Sequence, residues 1–270
     1  MTDDKLHIDL HTLHGRWPSA NTVDDFRRNL AAVHHQIEAA CLRVGRAPAS
    51  VRLLPVSKTI DEAHIRLAYE AGCRHLGENK VQEAWKKADS MSDLTDLNWS
   101  VIGHLQKNKA KVVARFASEF QALDSVRLAE ALDHRLQIEG RSLDVFIQVN
   151  TSGEESKFGL PPGELESFLK QMPAFHALKV KGLMTLALFS AEHERVRHCF
   201  RLLRRLRDEL HQSAPNGVAL DELSMGMSGD YPIAIEEGAT VVRVGQAIFG
   251  ARSTPNSAYW PTETTPADQQ

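Results

Sequence analysis

A lysine stands directly after a short apolar run in the first quarter of the chain. Lys58 follows Leu53-Leu54-Pro55-Val56, a run typical of a buried strand, with Ser57 between them. Partial removal of an ammonium group from water lowers its pKa, and the neutral amine can attack an aldehyde. A solvated, structural lysine is the commoner explanation when such a residue stands alone. Lys58 is therefore a candidate nucleophile that needs support from other residues.

Two glycine-containing loops near the C-terminus could bind a phosphate group. One lies within Leu223–Asp230 and contains Ser228, and the other lies within Val242–Gln246. Glycine lets backbone N–H groups come close to an anion, and a serine hydroxyl adds a further donor. Each loop alone would fit a simple tight turn. Two such loops after consecutive predicted strands favour phosphate binding.

These residues are set among β-rich runs that alternate with segments of helical period from Thr22 onward, as parallel βαβ units do. The helical segments carry apolar residues three and four positions apart. A first helix, about Val23 to Val44, could close the floor of a barrel or pack outside it. The eight predicted strands are Arg52–Val56, His75–Gly77, Trp99–Ile102, Phe120–Leu123, Asp144–Val149, Val180–Met184, Glu222–Met225 and Val241–Val244.

Eight such units favour a single (β/α)8 TIM barrel with an extra N-terminal helix over an open, doubly wound sheet, because closure leaves no sheet edge exposed. We expect this barrel over residues 22–252. Residues 1–21 are predicted to be a flexible N-terminal extension, and residues 253–270 a disordered C-terminal tail rich in Pro, Thr and Ser. Loops that follow the strands meet at one end of a barrel, so Lys58 and the glycine loops should share a site.

Two further side chains at this end could contact a ligand. Arg243 is predicted to lie on the last strand and to point into or over the barrel. A buried cation there needs a partner, either a carboxylate or a ring nitrogen of a ligand. His104 could contact a ligand, although capping of the helix that begins near Gln106 is the simpler interpretation. The scattered histidines form no complete ligand set, so no metal is expected.

Composition narrows the class of partner. The chain has 32 Lys and Arg against 35 Asp and Glu, a formal net charge of −3, so neither nucleic acid nor a membrane is expected. No apolar stretch approaches the roughly 20 residues that span a bilayer, and no secretory signal is recognisable. Cys41, Cys73 and Cys199 lack metal-ligand spacing and suit reduced thiols. These features predict a cytoplasmic protein with a small-molecule partner, and we expect a monomer.

Short motifs stand in a fixed order between about Asp25 and Arg252. They are Pro55-Val56-Ser57-Lys58-Thr59, Gly77-Glu78-Asn79-Lys80-Val81-Gln82-Glu83, Ile102-Gly103-His104-Leu105-Gln106-Lys107-Asn108-Lys109, Lys157-Phe158-Gly159-Leu160, Gly182-Leu183-Met184-Thr185, Leu223-Ser224-Met225-Gly226-Met227-Ser228, Val242-Arg243-Val244-Gly245 and Ile248-Phe249-Gly250. Together they resemble the pyridoxal phosphate homeostasis protein family, whose fold is similar to the barrel domain of alanine racemases. The motifs are long and ordered, so chance matching is a poor explanation.

The resemblance implies that the cofactor is pyridoxal 5′-phosphate, PLP. Lys58 would be the lysine that holds PLP as a Schiff base, and Asn79 would lie beside the cofactor. Arg243 would face the pyridine nitrogen. A guanidinium at this position keeps the nitrogen unprotonated and weakens the ring as an electron sink.

The resemblance also implies a phosphate site and a wall. Ser228, with the backbone of Gly245 and Gln246, would hold the phosphate group. Ser224 and Met225 would line the same wall. All of these residues stand at or just beyond the ends of predicted strands.

A racemase would need a second acid/base on the opposite face of the substrate, usually a tyrosine. Tyr69 is predicted on an outer helix, Tyr231 in the helix after the seventh strand, and Tyr259 in the tail. We therefore expect a PLP-binding protein without turnover. The resemblance implies its role, which is intracellular PLP homeostasis and delivery of the cofactor to apo PLP-dependent enzymes. The alternatives are a PLP-dependent, amino-acid racemase-like enzyme and a cofactor-independent lyase of the aldolase type, which would have no visible chromophore.

Overall fold

The computed structural model of the protein describes residues 17–154 and 157–251. Eight parallel strands lie in the order β1-β8-β7-β6-β5-β4-β3-β2. β1 and β2 meet at a bridge between Val56 and Gly77, where the Ser57 N–H donates to the Gly77 carbonyl at 3.0 Å. The sheet thus forms a nearly closed barrel, as predicted. The strands are β1 (Arg52–Pro55), β2 (His75–Glu78), β3 (Asn98–Val101), β4 (Glu119–Leu123), β5 (Leu143–Gln148), β6 (Leu178–Met184), β7 (Val218–Ser224) and β8 (Val241–Val244).

The α-helices cover the outside of this barrel, and most follow a strand. Their apolar faces contribute to a continuous core that contains the large buried side chains Phe26, Phe120, Phe146 and Phe200. The helices are α1 (Val23–Arg43), α2 (Glu62–Glu70), α3 (Val81–Ser90), α4 (Ala110–Phe116), α5 (Val126–Ile138), α6 (Leu165–Leu169), α7 (His193–His211), α8 (Tyr231–Glu236) and α9 (Gln246–Phe249).

The extra N-terminal helix, α1, packs outside the barrel, which decides between the two positions that the sequence left open. It begins with a capping box in which the Asp25 N–H donates to Thr22 Oγ1 and the Thr22 N–H donates to Asp25 Oδ2, both at 3.1 Å. Its Phe26 ring contacts the Phe249 ring of α9 edge-on, with centroids 5.5 Å apart. α1 therefore supports the segment that follows the last strand.

Five strands, β3 to β7, begin earlier than the sequence pattern predicts. β4 starts at Glu119 and β7 starts at Val218. Glu119 is buried, and its carboxylate accepts hydrogen bonds from Ser100 Oγ and Arg52 Nη2, both at 2.6 Å. A charge with such partners can lie in a protein interior. Hydropathy alone therefore places the start of β4 too late.

β6 and β7 approach each other closely at Gly182. Their register is irregular between Val180 and Gly182, and Gly182 pairs with Glu222. A Cβ atom on Gly182 would lie 1.8 Å from the backbone oxygen of Glu222. Glycine is required here because the neighbouring backbone occupies the space of any side chain.

Most of the predicted extension and tail lies outside the described residues. Within the described part of the extension, Ala20 is buried and the Pro18 carbonyl accepts a hydrogen bond from Asn29 Nδ2 at 3.4 Å. The domain boundaries at residues 22 and 252 stay predictions. Among the described helices, none has the length and apolar character needed to cross a membrane.

Candidate functional site

The carboxyl ends of the strands bring the predicted site residues to one end of the barrel. Arg243 on β8 pairs in register with Leu54 of β1, and Lys58 follows in the turn after β1. Ser224 is the last residue of β7, and Asn79 directly follows β2. Because the strands are parallel, these residues share the end at which barrel enzymes carry their chemistry.

The turn that carries Lys58 is held from both sides by α3. Lys87 Nζ donates to the Ser57 carbonyl at 2.9 Å, and the Thr59 N–H donates to Glu83 Oε1 at 2.8 Å. Thr59 has φ 66°, a left-handed conformation that threonine rarely adopts. Lys58 itself is partly buried. The backbone on each side of Lys58 is therefore fixed by a charged side chain.

A buried ion pair beneath this turn was missed by the sequence analysis. Lys87 Nζ lies 2.8 Å from Glu78 Oε1 and 2.7 Å from Glu83 Oε1, and Ser57 Oγ donates to Glu78 Oε1 at 2.6 Å. Burial raises the pKa of Glu78, although Lys87 and Ser57 oppose the shift. The four-residue spacing of Glu83 and Lys87 was the one available signal, since such pairs meet on a helix.

Arg243 lies inside the barrel with both terminal nitrogens bonded. Nη1 donates to Ser224 Oγ at 2.6 Å and Nη2 donates to the Thr185 carbonyl at 2.8 Å. Burial lowers the pKa of Arg243 to about 10, and the charges of Asp230 and Glu119 act against this shift. The guanidinium therefore stays cationic at neutral pH. Its protein partners are a hydroxyl and a carbonyl, whereas the sequence analysis expected a carboxylate or a ligand nitrogen.

A chain of hydrogen bonds leads from Arg243 across the barrel interior. Arg243 donates to Ser224, Ser224 Oγ donates to Gln121 Oε1 at 2.7 Å, and Gln121 Nε2 donates to Glu119 Oε1 at 2.6 Å. Ser224, Gln121 and Glu119 are all buried. Every donor in this chain points away from Arg243, so a cation stands at one end and a carboxylate at the other.

The two predicted phosphate loops meet at Ser228 and Gly245. The Gly245 N–H donates to Ser228 Oγ at 3.1 Å. The first loop turns at Gly226, where φ is 95° and a Cβ atom would lie 2.6 Å from the Cβ of Ala234. The structure thus places the Ser228 hydroxyl group against the Gly245 backbone at the strand ends, and the Gly245 N–H holds this hydroxyl oxygen in place.

The other residues that the resemblance places beside the cofactor also lie near the ends of the strands. Met225 is fully buried directly after β7, and Gln246 is partly buried at the start of α9. Asn79 is partly buried, and its backbone packs against Gly103, where a Cβ atom would lie 2.4 Å from the Asn79 oxygen. The roles of these side chains toward a ligand stay predictions.

His104 does not cap a helix as the simpler interpretation had it. Its ring stacks on that of Phe158, with centroids 3.8 Å apart and planes 9° from parallel. Its Nδ1 lies 3.6 Å from Asp124 Oδ2, and burial raises the pKa of that carboxyl group despite the nearby histidine. The helical turn begins instead at Lys107, because the chain is still extended at Gln106.

Two of the three tyrosines have fixed partners away from the strand ends. Tyr69 lies on α2 and its hydroxyl donates to Asp96 Oδ1 at 2.5 Å. Tyr231 is buried on α8 and its hydroxyl donates to Gln36 Oε1 of α1 at 2.6 Å. Tyr259 lies outside the described residues. Over residues 17–154 and 157–251, no group of His, Cys, Asp or Glu is arranged to hold a metal ion.

The barrel and the lysine turn at its carboxyl end define the class of this protein. Residues 28–253 match the family model of the alanine racemase N-terminal domain. The chain is thus an alanine racemase N-terminal-type barrel, as its sequence motifs indicated.

Within this class, the chain belongs to the pyridoxal phosphate homeostasis protein family. A family member from Aquifex aeolicus is 43% identical over 223 residues, which make up 83% of this chain and 96% of the relative. PipY of Synechococcus elongatus has been solved with and without PLP, with TM-scores of 0.73 and 0.75 to this structure. In both cases PipY is 39% identical, and the match covers 83% of this chain and 100% of PipY.

Proposed function

We infer that this protein binds PLP as a Schiff base on Lys58, and that it stores and releases the cofactor without turning over amino acids. The observation that carries this inference is the position of Lys58, in a turn held on both sides at the carboxyl end of β1. Arg243, on the strand paired with β1, lies at the same end. A similar protein, PipY, has a structure with PLP bound.

The other residues at the strand ends fit the remaining groups of PLP. Ser228 and the backbone of Gly245 and Gln246 would hold the phosphate, and Asn79 would lie beside the ring. Arg243 would face the pyridine nitrogen, with Ser224 and Met225 on the same wall. Bound PLP supplies an electrophilic aldehyde, which a lysine amine can reversibly attack.

The test of this proposal is a spectrum followed by peptide mapping. The purified protein incubated with PLP is expected to absorb visible light, and borohydride reduction should leave a pyridoxyl group on the peptide that contains Lys58. A protein that reacts with carbonyl substrates but shows no visible band with PLP would instead support the aldolase-type alternative.

Ser228→Ala is expected to weaken PLP binding by roughly 1.5 to 3 kcal/mol, because one hydrogen bond to a charged phosphate is lost. Binding is measured by absorbance titration of both proteins. For the same reason, pyridoxal without its phosphate should bind the wild type much more weakly than PLP does. Ser167→Ala is the matched control, since Ser167 is exposed on α6. Equal affinity for pyridoxal and PLP would contradict a phosphate site.

The PLP-loaded protein is expected not to racemise, transaminate or decarboxylate amino acids at a useful rate. Proton abstraction needs both a positioned base and a place for the developing negative charge. Tyr69 and Tyr231 are bonded elsewhere, and the cationic Arg243 would weaken the electron sink. The measurement is α-proton exchange of amino acids in deuterated water, followed by NMR. Exchange at about 1 s⁻¹ or faster would establish an enzyme instead.

Delivery of PLP to apo-enzymes by a cytoplasmic monomer completes the proposal. It is supported by the pyridoxal phosphate homeostasis protein family to which the chain belongs. Reactivation of an apo-enzyme by the loaded protein, in the presence of an excess of a scavenger for free PLP, is the expected result. Sedimentation velocity checks the monomeric state.

A further inference from the structure

Glu83 and Lys87 contact the peptide groups immediately before and after Lys58. Lys87 Nζ binds the carbonyl of Ser57 at 2.9 Å, and Glu83 Oε1 accepts the N–H of Thr59 at 2.8 Å. Both side chains come from α3, and both contacts are made to the backbone. These two residues can therefore set the direction of the Lys58 side chain without touching a ligand.

Lys87 uses all of its hydrogen-bond donors in and around the Lys58 turn. An ammonium group has three donors, and Lys87 Nζ meets three acceptors, which are Ser57 O, Glu78 Oε1 and Glu83 Oε1. The residue is buried, and a buried ammonium is costly unless it is paired and hydrogen-bonded. Val81 and Ala84 already supply the apolar packing of α3. The buried Lys87 therefore stabilises the Lys58 turn and is not needed for the apolar packing of α3.

Glu83 holds a strained residue. Thr59 has φ 66°, a conformation that costs a β-branched residue free energy and persists only where neighbours enforce it. Burial pushes the pKa of Glu83 upward, but hydrogen bonds from Lys87 and the Thr59 N–H outweigh this effect and lower the pKa. The carboxylate is thus ionised at neutral pH and is a strong acceptor for the Thr59 amide.

We propose that Glu83 and Lys87 are positioning residues that hold the Lys58 turn in the geometry for reaction with PLP, which rests on the function proposed above. In that reaction the Lys58 nitrogen forms a bond to the aldehyde carbon. The carbon–oxygen bond breaks, and the oxygen leaves as water with two protons from the amine. A turn that relaxes after loss of Glu83 presents the amine at the wrong angle, and misplacement of a reacting group slows a reaction strongly.

The test compares covalent with non-covalent binding in Glu83→Ala. Covalent attachment to Lys58 is followed by borohydride trapping and peptide mapping, and we expect it to be about tenfold slower or more. Pyridoxine 5′-phosphate carries an alcohol in place of the aldehyde, so it reports only non-covalent binding. Its dissociation constant should change by less than about twofold. General damage to the site would lower both the rate of covalent attachment and the affinity for pyridoxine 5′-phosphate.

Two further variants separate positioning from a loss of charge. Asp89→Ala removes an exposed carboxylate from the same helix and should behave as the wild type. Glu83→Gln keeps an acceptor for the Thr59 N–H and should recover most of the attachment rate. Unchanged attachment in Glu83→Ala overturns the proposal.

Backbone amide exchange at Thr59 gives a readout that needs no cofactor. Without PLP, the Thr59 amide should exchange at least about tenfold faster in Glu83→Ala than in the wild type, because its acceptor is gone. If the pyridoxyl group maps to another lysine in the wild type, the proposed function is wrong. Equal protection of Thr59 in both proteins shows that Glu83 does not hold the turn, wherever the label lies.

Discussion

Lys58→Ala is expected to abolish the visible absorption band of the PLP-treated protein and the adduct that borohydride reduces. The band requires conjugation of a Schiff base with the pyridine ring, and alanine offers no amine. Residual binding should be non-covalent, held by the phosphate loops at Ser228 and Gly245. Absorbance spectra and intact mass after reduction measure the two effects.

Other lysines near the strand ends supply the controls for this result. Lys107→Ala and Lys109→Ala change a turn after β3 and should retain both the band and the adduct. A reducible adduct at undiminished occupancy in Lys58→Ala would show that Lys58 is not the attachment site. Lys80, Lys107 and Lys109 would then be the next lysines to test.

Gly182→Ala is expected to destabilise the barrel by about 3 kcal/mol or more, because the new methyl group collides with backbone that cannot move aside. A Cβ atom there would lie 1.8 Å from the Glu222 oxygen and 2.5 Å from the Glu222 carbonyl carbon. β6 and β7 would have to separate next to Ser224 and Thr185. Urea denaturation followed by far-UV circular dichroism measures the loss.

Gly163→Ala is the matched control for this substitution. A Cβ atom on Gly163 would meet open space, and its backbone has no unusual φ. Its free energy of unfolding should change by less than about 1 kcal/mol. Similar stability of Gly182→Ala and Gly163→Ala would show that β6 and β7 can move apart at little cost in free energy.

The number of strands and their order were predictable because each β-rich run is buried and each is followed by a helical period. Lys58 and Arg243 could also be placed at strand ends from the sequence, since the ends of apolar runs mark the ends of parallel strands. The start of β4 could not, because Glu119 reads as a surface residue, and β7 begins at Val218, four residues before its predicted start at Glu222. Only the partners of Glu119 show why it is buried, and two of them, Ser100 and Arg52, lie on other strands.

The contacts around the Lys58 turn lay beyond sequence reasoning for a related reason. Lys87 reads as one of several charged residues on an amphipathic helix, and its spacing from Glu83 is typical of an exposed pair. Its burial depends on how α3 sits against the β1 turn. His104 was misread in the same way, because its partners Asp124 and Phe158 come from other loops.

Arg243, Ser224, Gln121 and Glu119 are linked by consecutive hydrogen bonds whose donors all point toward Glu119. A substitution at one of these four positions therefore affects the hydrogen bonding of the others. If Arg243 faces the pyridine nitrogen as proposed, its exchange for a neutral or acidic residue would strengthen the electron sink. The same exchange removes the group that donates a hydrogen bond to Ser224 Oγ. Such an acid would lie in a field already made negative by Glu119 and Asp230. A redesign of this barrel at Arg243 therefore also changes the surroundings of Ser224, Gln121 and Glu119.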